Sequence, residues 1–338
     1  MTAILVTGGA GYIGSHACKA LAAAGYRPVA YDNLVHGHEW AVKWGPLERG
    51  DILDGARIAA VIAAYRPSAV MHFAAFAYVG ESIAEPAKYY RNNVLGTLTL
   101  LEAMRSANLD AIVYSSSCAT YGVPGAVPIS EDAVQKPINP YGASKLMTER
   151  ILADFNTAYG LKSISLRYFN AAGADPDGEL GEDHEPEPHL IPRVLDTAMG
   201  DRPSVTILGN DYDTPDGTCI RDYVHVSDIA DAHVLALKAL EEGGSSQAYN
   251  LGTGVGISVL QVIGAAERVT RRAIATTIGP RRAGDPATLI ANPARVGVEL
   301  GWSPRFSTID EMIGTAWSWH LRKRQMNRDH SHDVKRRG

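Results

Sequence analysis

The sequence predicts an α/β fold in which a doubly wound parallel sheet is followed by a smaller, mixed α/β lobe. Short apolar stretches alternate with segments of helical periodicity over roughly the first half of the chain. The stretch TGGAGYIG, at positions 7–14, directly follows the first apolar stretch. The alternation stops after Phe169, where an acidic stretch rich in Gly and Pro begins. Repeated strand–helix units require a parallel sheet with helices on both faces.

The first unit is predicted as a strand over residues 4–6 and a helix over residues 12–24, with Gly25 as its C-terminal cap. Gly8, Gly11 and Gly14 lie between the two elements, spaced three apart. In this context glycines let a diphosphate approach the free N–H groups and the positive end of the helix. The pattern is that of a Rossmann-type nucleotide site, although glycine turns without a ligand are also common.

Asp32 ends the second predicted strand, about 20 residues beyond the glycines, where a carboxylate can accept hydrogen bonds from both hydroxyls of an adenosine ribose. The same charge repels a 2′-phosphate, which favours NAD over NADP as the cofactor. The alternative is an ordinary turn or capping aspartate, followed by Asn33.

Further units follow in order along the first half of the chain. The predicted strands are GPLERGDI, SAVMHFAA, DAIVYSSS and KSISLRYF, and the predicted helices are ARIAAVIAAY, a long helix from Ala84 to Ser106, and PYGASKLMTERILADFNTAYG. We therefore expect an NAD-binding domain over residues 1–170. Ligands of such a sheet bind at the carboxyl ends of its strands.

The second half is predicted as a substrate lobe over residues 171–322. It opens with NAAGADPDGELGEDHEPEPHL, which is too poor in apolar residues to form a regular element and long enough to be a functional loop. Segments such as AYNLG are candidates to return to the first sheet. Residues 323–338 form a basic segment, which we expect to be a disordered, solvated tail.

Composition narrows the class of protein. The chain has 338 residues, of which 46% are hydrophobic, and a formal charge of −5, so charge gives no case for nucleic acid as a partner. Cys18, Cys118 and Cys219 have no metal-ligand spacing and form an odd set, which favours a reducing compartment and predicts no metal site. No apolar run spans a bilayer, and the first strand leaves no room for a signal peptide, so we expect a cytoplasmic protein.

Tyr141 and Lys145 carry the predicted chemistry. They lie four residues apart on one helix and therefore on one face. To act as a base near pH 7, a tyrosine needs its pKa lowered from about 10 by about 3, which corresponds to about 4 kcal/mol in favour of the phenolate. A nearby ammonium and an oxidised nicotinamide both lower the pKa. Ser117, about 25 residues upstream at a strand end, can bond the same substrate oxygen. The alternative is an ordinary amphipathic helix in which this spacing arises by chance.

With these residues in place, the chain resembles the extended short-chain dehydrogenase/reductase family, and within it the UDP-sugar 4-epimerases. The resemblance covers nearly the whole chain. It is carried by the ordered segments ILVTGGAGYIGSH, HFAA, VGES, YYRNNV, SSSCATYG, NPYGASK, LRYFNAAGADPDGELGE, GNDYDTPDGTCIRDYVHVSDIADAHV, YNLGTG, RRAGDPA and ELGW.

The resemblance assigns roles to individual residues. It implies a catalytic set of Tyr141, Lys145 and Ser117. It implies that NAD is bound by Gly8, Gly11, Tyr12, Ile13, Gly14, Asp32, Asn33, Asp51, Ile52, Phe73, Ala74, Ala75, Asn92, Tyr141, Lys145 and Phe169. It implies that the UDP-sugar is bound by Ser117, Tyr141, Asn170, His189, Leu190, Thr206, Ile207, Leu208, Arg221, Arg282, Asp285 and Leu289. A guanidinium fork suits a diphosphate, although each arginine taken singly is more often part of a surface ion pair.

The resemblance also implies a mechanism and an assembly. Tyr141 takes the C4 hydroxyl proton while the C4 hydride moves to tightly held NAD⁺; the 4-keto sugar then turns about its diphosphate link and is reduced on the other face. The cofactor never needs to leave. A homodimer is implied, in which the helix carrying Tyr141 and the helix near Asn92 pair across a two-fold axis.

The sugar is the least determined part of the prediction. Glucose/galactose epimerases usually have a lysine before VGES, where this chain has Ala77 and Tyr78. This residue pair is associated with enzymes that act on UDP-pentoses. Leu289 takes the position where tyrosine excludes N-acetylated sugars and a small residue admits them. We expect interconversion of UDP-glucose and UDP-galactose, with UDP-xylose and UDP-arabinose as the alternative pair.

Two other functions compete with epimerisation. A 4,6-dehydratase shares the fold and the Tyr/Lys pair, but members of that group carry an Asp-Glu pair after the active-site Ser or Thr, where this chain has Cys118 and Ala119. A non-catalytic NAD-sensing regulator would keep the fold but would be expected to lose the Tyr/Lys pair, and both residues are present.

Overall fold

A parallel sheet organises the first part of the molecule. The computed structural model describes residues 1–282 and 285–337, with side chains through residue 326. Its strands are β1 (Ala3–Thr7), β2 (Arg27–Asp32), β3 (Leu47–Arg49), β4 (Ala69–His72), β5 (Ala111–Ser115), β6 (Lys162–Tyr168), β7 (Asn170–Ala172), β8 (Val205–Leu208), β9 (Ile220–His225), β10 (Gln247–Leu251), β11 (Gly256–Ser258), β12 (Thr276–Gly279) and β13 (Thr288–Leu289).

Helices alternate with these strands. They are α1 (Tyr12–Ala23), α2 (Gly55–Tyr65), α3 (Val79–Ala84), α4 (Pro86–Tyr89), a π-helical segment (Tyr90–Leu95), α5 (Gly96–Ser106), α6 (Pro140–Tyr159), α7 (Leu190–Met199), α8 (Val226–Glu241), α9 (Val259–Thr270), α10 (Ala294–Leu300) and α11 (Ile309–Arg337). Among the described residues, none of the helices combines the length and the apolar character needed to cross a membrane.

The strand order of the main sheet places a ligand crevice. In the described chain this sheet has seven strands in the order β10-β6-β5-β4-β1-β2-β3, all paired in parallel. The order reverses between β1 and β4, whose last residues Thr7 and His72 are register partners. A crevice outside the carboxyl ends of the strands is expected at such a switch point. The predicted doubly wound α/β fold is confirmed.

The sheet is buried on both faces, as an all-parallel sheet requires. Ile4 and Val6 of β1 point into a core that α1 and α8 cover, while Leu5 points into the opposite core, covered by α2, α5 and α6. Successive side chains of a strand alternate between the two faces. The continuous apolar run in β1 is thus explained by burial on both sides.

A second core lies in the C-terminal half. The strands β7, β9, β11 and β13 form a small mixed sheet, β8 pairs with β12, and the helices α7, α9 and α11 pack their apolar sides together around Leu195, Val262 and Ile313. The strand β10, which contains the AYNL stretch, lies beside β6 in the first sheet. The chain therefore crosses back to the first sheet after it has begun the second lobe.

The predicted long helix from Ala84 to Ser106 is interrupted. The backbone leaves the helical region at Glu85 (φ −125°), and α4 begins at Pro86. Proline disfavours a helical conformation in the residue before it and supplies no N–H to the preceding turn. The π-helical segment Tyr90–Leu95 then shifts the register before α5 begins.

The C-terminal segment also differs from the prediction. The helix α11 continues through Arg337, so the helical pattern does not stop before residue 323. Lys323 forms an ion pair with Asp183, and Arg324 donates to the carbonyl oxygen of Met199 (3.2 Å). These two residues are therefore attached to the second lobe and do not belong to a free tail.

A buried ion pair ties α6 to the sheet. The carboxylate of Glu149, on α6, accepts from Nη2 of Arg167, on β6, at 2.7 Å, and both side chains are less than one-tenth exposed. Arg167 also donates to the hydroxyl of Tyr121 (2.8 Å), which donates to Oδ1 of Asn250 on β10 (2.7 Å). The network joins one helix and two strands.

Replacing Glu149 by Gln leaves the Arg167 charge buried without its partner, so we expect a loss of about 3–5 kcal/mol in the free energy of unfolding. Chemical denaturation followed by circular dichroism measures it. Glu102→Gln, on the exposed side of α5, is the control and should change stability by less than about 0.5 kcal/mol. Equal stability of the two variants would show that the ion pair does not anchor α6.

Candidate active site

A cleft of about 710 Å³ runs along the carboxyl ends of the central strands and is lined by residues of both halves of the chain. Most residues predicted for the cofactor lie on its wall. These are Gly8, Gly11, Tyr12, Ile13, Gly14, Asp32, Asn33, Ile52, Phe73, Ala74, Ala75, Asn92, Tyr141, Lys145 and Phe169. The switch point of the sheet therefore opens into a cleft whose volume lies within the range of about 300–1,000 Å³ that is typical of small-molecule and cofactor sites.

The glycine turn fits a diphosphate. Gly14 allows no side chain, because a Cβ there would lie 2.1 Å from the carbonyl oxygen of Gly8. Gly11 is different: its φ of −79° suits any residue, and a Cβ would meet only the Gly8 oxygen at 3.4 Å. Protein packing thus does not explain Gly11, whereas a phosphate resting on the N-terminus of α1 would fill that space.

The Asp32 region combines both interpretations of the sequence. The carboxylate of Asp32 accepts from the backbone N–H of Ala10 (3.0 Å) and of Leu34 (2.8 Å), so it does stabilise a turn. It also lines the cleft, and burial raises the pKa of this carboxyl group. Asn33 donates to the carboxylate of Asp51 (3.0 Å). Asp51 itself is exposed and is not among the described residues that line the cleft.

The central part of the cleft is held by a residue that the sequence prediction missed. Asn93, in the π-helical segment, accepts from the backbone N–H of Phe76 (2.9 Å) and donates to the hydroxyl of Ser144 on α6 (3.0 Å). Its neighbour Asn92 lines the cleft and donates to the Asn93 side chain (2.9 Å). The adjacent asparagines in YYRNNV were a usable signal, because buried polar side chains are normally hydrogen-bonded.

Tyr141 and Lys145 of α6 line the cleft. The helix α6 begins with Pro140, and its N-cap Asn139 accepts from the N–H of Gly142 (2.8 Å). Both predicted catalytic side chains are less than one-tenth exposed. Ser117, from the segment after β5, lines the same cleft, and its side chain acts to lower the pKa of Tyr141. The three predicted catalytic residues are thus brought together.

The predicted effect of Lys145 on Tyr141 is not found in the protein alone. Burial raises the pKa of Tyr141, and the hydrogen bond with Ser117 opposes this only in part. Burial also lowers the pKa of Lys145 to about 7. Lys145 donates to the carbonyl oxygen of Ser115 (2.7 Å), and its Nζ is 5.9 Å from the centre of the Tyr141 ring. Desolvation thus favours the uncharged form of both groups.

The predicted substrate residues divide into two groups. Ser117, Tyr141, Asn170, His189, Arg221, Arg282, Asp285 and Leu289 line the cleft. Arg221 is buried and forms an ion pair with Asp285 at 2.5 Å. Leu289 packs in a small cluster with Cys118 and Phe169. This end of the cleft thus presents guanidinium groups beside an apolar wall.

The second group does not reach the cleft wall. Among the described residues, Leu190, Thr206, Ile207 and Leu208 are absent from it. Ile207 is 2% exposed in the core of the second lobe, and the hydroxyl of Thr206 lies 3.2 Å from that of Thr277 on the neighbouring strand β12. The alternation along β8 sends Ile207 inward. Leu190 is the first residue of α7 and packs against the same core.

A cluster of acids and histidines, also missed, lies beside His189. Glu182 and Glu187 each approach Nδ1 of His189, at 2.7 and 2.8 Å. Burial lowers the pKa of His184 and of His189, but the two carboxylates outweigh it and raise these values to about 9 and about 10. Tyr78 lies edge-on to both imidazoles, and its buried hydroxyl has no hydrogen-bond partner among the described residues.

A parallel sheet with a glycine turn at its switch point and a buried Tyr/Lys pair in the cleft defines a dinucleotide-dependent enzyme. Residues 4–252 match the model of the NAD dependent epimerase/dehydratase family. The chain belongs to this family, and NAD is its cofactor.

Similar proteins share nearly the whole length of the chain. A UDP-glucose 4-epimerase of Rhizobium meliloti (strain 1021) is 53% identical over 95% of this chain and 98% of that protein. The crystal structure of a UDP-glucose 4-epimerase from Brucella ovis in complex with NAD is 54% identical, with a TM-score of 0.92 over 94% of this chain and 98% of that one. A UDP-glucose-4-epimerase from Stenotrophomonas maltophila, with bound NAD and formylated UDP-arabinopyranose, is 40% identical, with a TM-score of 0.92 over 97% and 100% of the two chains.

Gly11 has room for a methyl group and Gly14 has none, and this difference gives a test of the diphosphate site. Gly11→Ala should leave the stability of the NAD-free protein unchanged and weaken NAD binding by about tenfold or more, because the new methyl group fills only the ligand space. Gly14→Ala should lower the free energy of unfolding by about 1–3 kcal/mol, because its methyl group meets the backbone. Calorimetric titration with NAD and thermal unfolding measure the two effects. Unchanged NAD affinity in Gly11→Ala would exclude this turn as the phosphate site.

Proposed function

We propose that the chain is an NAD-dependent UDP-glucose 4-epimerase, an isomerase that interconverts UDP-glucose and UDP-galactose. The observation that carries the proposal is the position of Tyr141. It lines the same cleft as the glycine turn, Ser117 and Arg221, and Ser117 acts to lower its pKa. The relative at 53% identity, covered over 98% of its length, is a UDP-glucose 4-epimerase.

Tyr141 and Ser117 handle the proton of the sugar. Ser117 can donate to the C4 oxygen, and Tyr141 takes the C4 hydroxyl proton as the base and later returns it as the acid. When bound with its nicotinamide ring in the cleft, NAD⁺ supplies the acceptor for the C4 hydride and a positive charge that favours the tyrosinate. Without that charge, burial keeps Tyr141 protonated. Proton transfer should therefore occur only in the loaded enzyme.

Lys145 has a positioning role in this scheme. Its Nζ is already held by the Ser115 carbonyl (2.7 Å), which leaves two N–H groups for a ribose hydroxyl and for the tyrosine oxygen. A pKa of about 7 in the protein alone means that its charge depends on what binds beside it. An anion, the tyrosinate included, favours the ammonium form.

The arginine-lined end suits the diphosphate of the substrate. Arg221 donates from Nη2 to the carboxylate of Asp285 and from Nη1 to the carbonyl oxygen of Ile220 (2.7 Å). These two hydrogen bonds fix the plane of its guanidinium group. Five N–H donors leave some free for phosphate oxygens. Arg282 is exposed beside it at the cleft. Anchoring there would leave the sugar free to turn while C4 presents its other face to Tyr141.

A UDP-arabinose/UDP-xylose 4-epimerase is the second candidate. It is favoured by the Stenotrophomonas structure, whose bound ligand is a formylated UDP-arabinopyranose. Tyr78 stands in the cleft next to Ala77, where the resembling glucose enzymes have a lysine. One hydroxymethyl group changes transition-state binding by only about 1–3 kcal/mol, so the two sugar pairs can share one pocket.

Assembly, domain division and location extend the proposal. We infer a homodimer through α5, α6 and the adjoining π-helical segment, supported by Leu95 and Met147, which are exposed apolar residues on these helices. The division into an NAD domain over residues 1–170 and a UDP-sugar lobe over residues 171–322, from which α8 and β10 return to the first sheet, is supported by the separate second core. A cytoplasmic location is supported by the unpaired cysteines.

Offering purified protein UDP-galactose, UDP-arabinose and UDP-N-acetylgalactosamine separately, without added NAD, tests the sugar assignment. We expect kcat/KM to be highest for UDP-galactose, with the pentose lower by up to about 200-fold. Conversion of UDP-arabinose while UDP-galactose is untouched would establish the second candidate. Bound NAD with no turnover of any sugar would favour a non-catalytic regulator.

Replacing Tyr141 by Phe removes the phenolic oxygen and keeps the ring. We expect kcat to fall by about 10²–10⁴-fold, because general acid–base transfer is lost, while NAD remains bound. Tyr159→Phe, at the exposed end of the same helix, is the control and should keep full activity. Stopped-assay kinetics and the NAD content of the purified proteins decide between the outcomes. Near-normal activity of Tyr141→Phe would remove it as the base.

A further inference from the structure

Four side chains of the loop between β7 and α7 converge on one point beside the cleft. We call Glu182, His184, Glu187 and His189 the His–Glu cluster. One ligand atom from each residue lies within 4.8 Å of the others, and Glu182 and Glu187 are only 10% exposed. Two nitrogen and two oxygen donors around one point form a recognised ligand set for a divalent transition metal.

The spacing of the donor atoms suits a tetrahedral ion. Zinc at about 2.0–2.1 Å from four ligands places neighbouring ligands about 3.3–3.4 Å apart. Nδ1 of His184 lies 3.3 Å from Glu182 Oε1 and 3.5 Å from Glu187 Oε2. Nδ1 of His189 lies 2.7 Å from Glu182 Oε1 and 2.8 Å from the other Glu187 oxygen, Oε1, and both distances would have to open by about 0.6 Å to reach that ligand spacing.

One buried nitrogen of the His–Glu cluster has no hydrogen-bond partner among the described residues. Nδ1 of His184 is buried and makes no hydrogen bond among the described residues, although it faces two carboxylates. Nδ1 of His189 lies near two carboxylate oxygens but can carry only one proton. A cation at the centre would engage both nitrogens and both carboxylates, and two glutamates would balance its charge.

A second acidic cluster shows what a filled cation position looks like. Asp175, Asp177 and Glu179 also come together in the same loop, but Nζ of Lys19 sits among them at 2.8, 2.7 and 2.9 Å. The ammonium already occupies that position. Among the described side chains, neither lysine nor arginine forms an ion pair with the carboxylates of the His–Glu cluster.

We propose that the His–Glu cluster binds one divalent transition-metal ion of the Zn²⁺ type. Four protein ligands close the coordination sphere, which is the arrangement of a structural site. Trp319, on α11, donates to the carbonyl oxygen of Glu182 (3.1 Å), and His189 is the N-cap of α7. The ion would tie this Gly- and Pro-rich loop to α7 and fix one wall of the cleft. The spacing E-x-H-x-x-E-x-H in GEDHEPEPHL was the signal for it, and cysteine spacing could not reveal it.

Metal titration of the NAD-bound protein tests the proposal without reference to catalysis. Protein dialysed against a chelator is titrated with Zn²⁺ and with Co²⁺, using calorimetry, visible absorption of the cobalt form and elemental analysis of the metal per chain. We expect one ion per chain, with cobalt bands typical of tetrahedral coordination. His184→Gln and Glu187→Gln should each weaken binding by at least about tenfold. Asp177→Asn, in the cluster that Lys19 fills, should bind as the unmodified protein does.

Three results would overturn the proposal. The first is that the unmodified protein binds neither Zn²⁺ nor Co²⁺ stoichiometrically. The second is that His184→Gln and Glu187→Gln bind the metal as tightly as the unmodified protein. The third is that Asp177→Asn loses as much affinity as those two variants. The four residues would then be an ion-pair network of two imidazolium and two carboxylate groups. Circular dichroism and NAD content establish whether each variant is folded. If a variant does not fold, the metal stoichiometry of the unmodified protein decides the question.

Discussion

The buried ion pair between Glu149 and Arg167 determines where chemistry can occur in this molecule. Glu149 lies one helical turn after Lys145 and two turns after Tyr141, so all three project from the same side of α6. Arg167 lies on β6 and extends the network through Tyr121 to Asn250 on β10. The pair therefore fixes α6 in rotation and along its axis. A slip of one turn would carry the tyrosine past Ser117.

Burial explains why this site needs its ligands in order to work. The cleft removes water from Tyr141 and Lys145 and leaves both closer to their uncharged forms. Near pH 7 Tyr141 therefore stays protonated until a positive charge is bound beside it. In the buried site, the positive charge of the oxidised cofactor and the negative charge of the tyrosinate stabilise each other. Proton removal is thus coupled to the presence of a hydride acceptor.

Local patterns predicted the parts of the structure that local physics decides. The apolar runs, the glycine turn and the i, i+4 placement of Tyr141 and Lys145 were all recoverable, because each depends on neighbours in sequence. Thr206, Ile207 and Leu208 lie outside the described cleft wall, because their orientation depends on how β8 packs against the second core. Pro86 itself is the sequence signal for the break between α3 and α4. The His–Glu cluster and Asn93 had signals in the sequence, but whether their side chains meet depends on the folded loop and on the packing of the π-helical segment against α6.

The second lobe can vary without disturbing that chemistry. Its cleft wall is a set of short strands held by a few side chains, of which Asp222 is central: its carboxylate accepts from the backbone N–H groups of Thr253 (2.8 Å), Gly254 (2.9 Å) and Ala291 (3.1 Å). Ala291 follows Leu289 by two residues, so this buried carboxylate fixes the backbone next to Leu289 on the cleft wall. Side chains at position 289 can change size while Asp222 holds the backbone. The backbone beside Leu289 and the helix that carries Tyr141 are thus held by separate anchors, Asp222 for the first and Glu149 with Arg167 for the second.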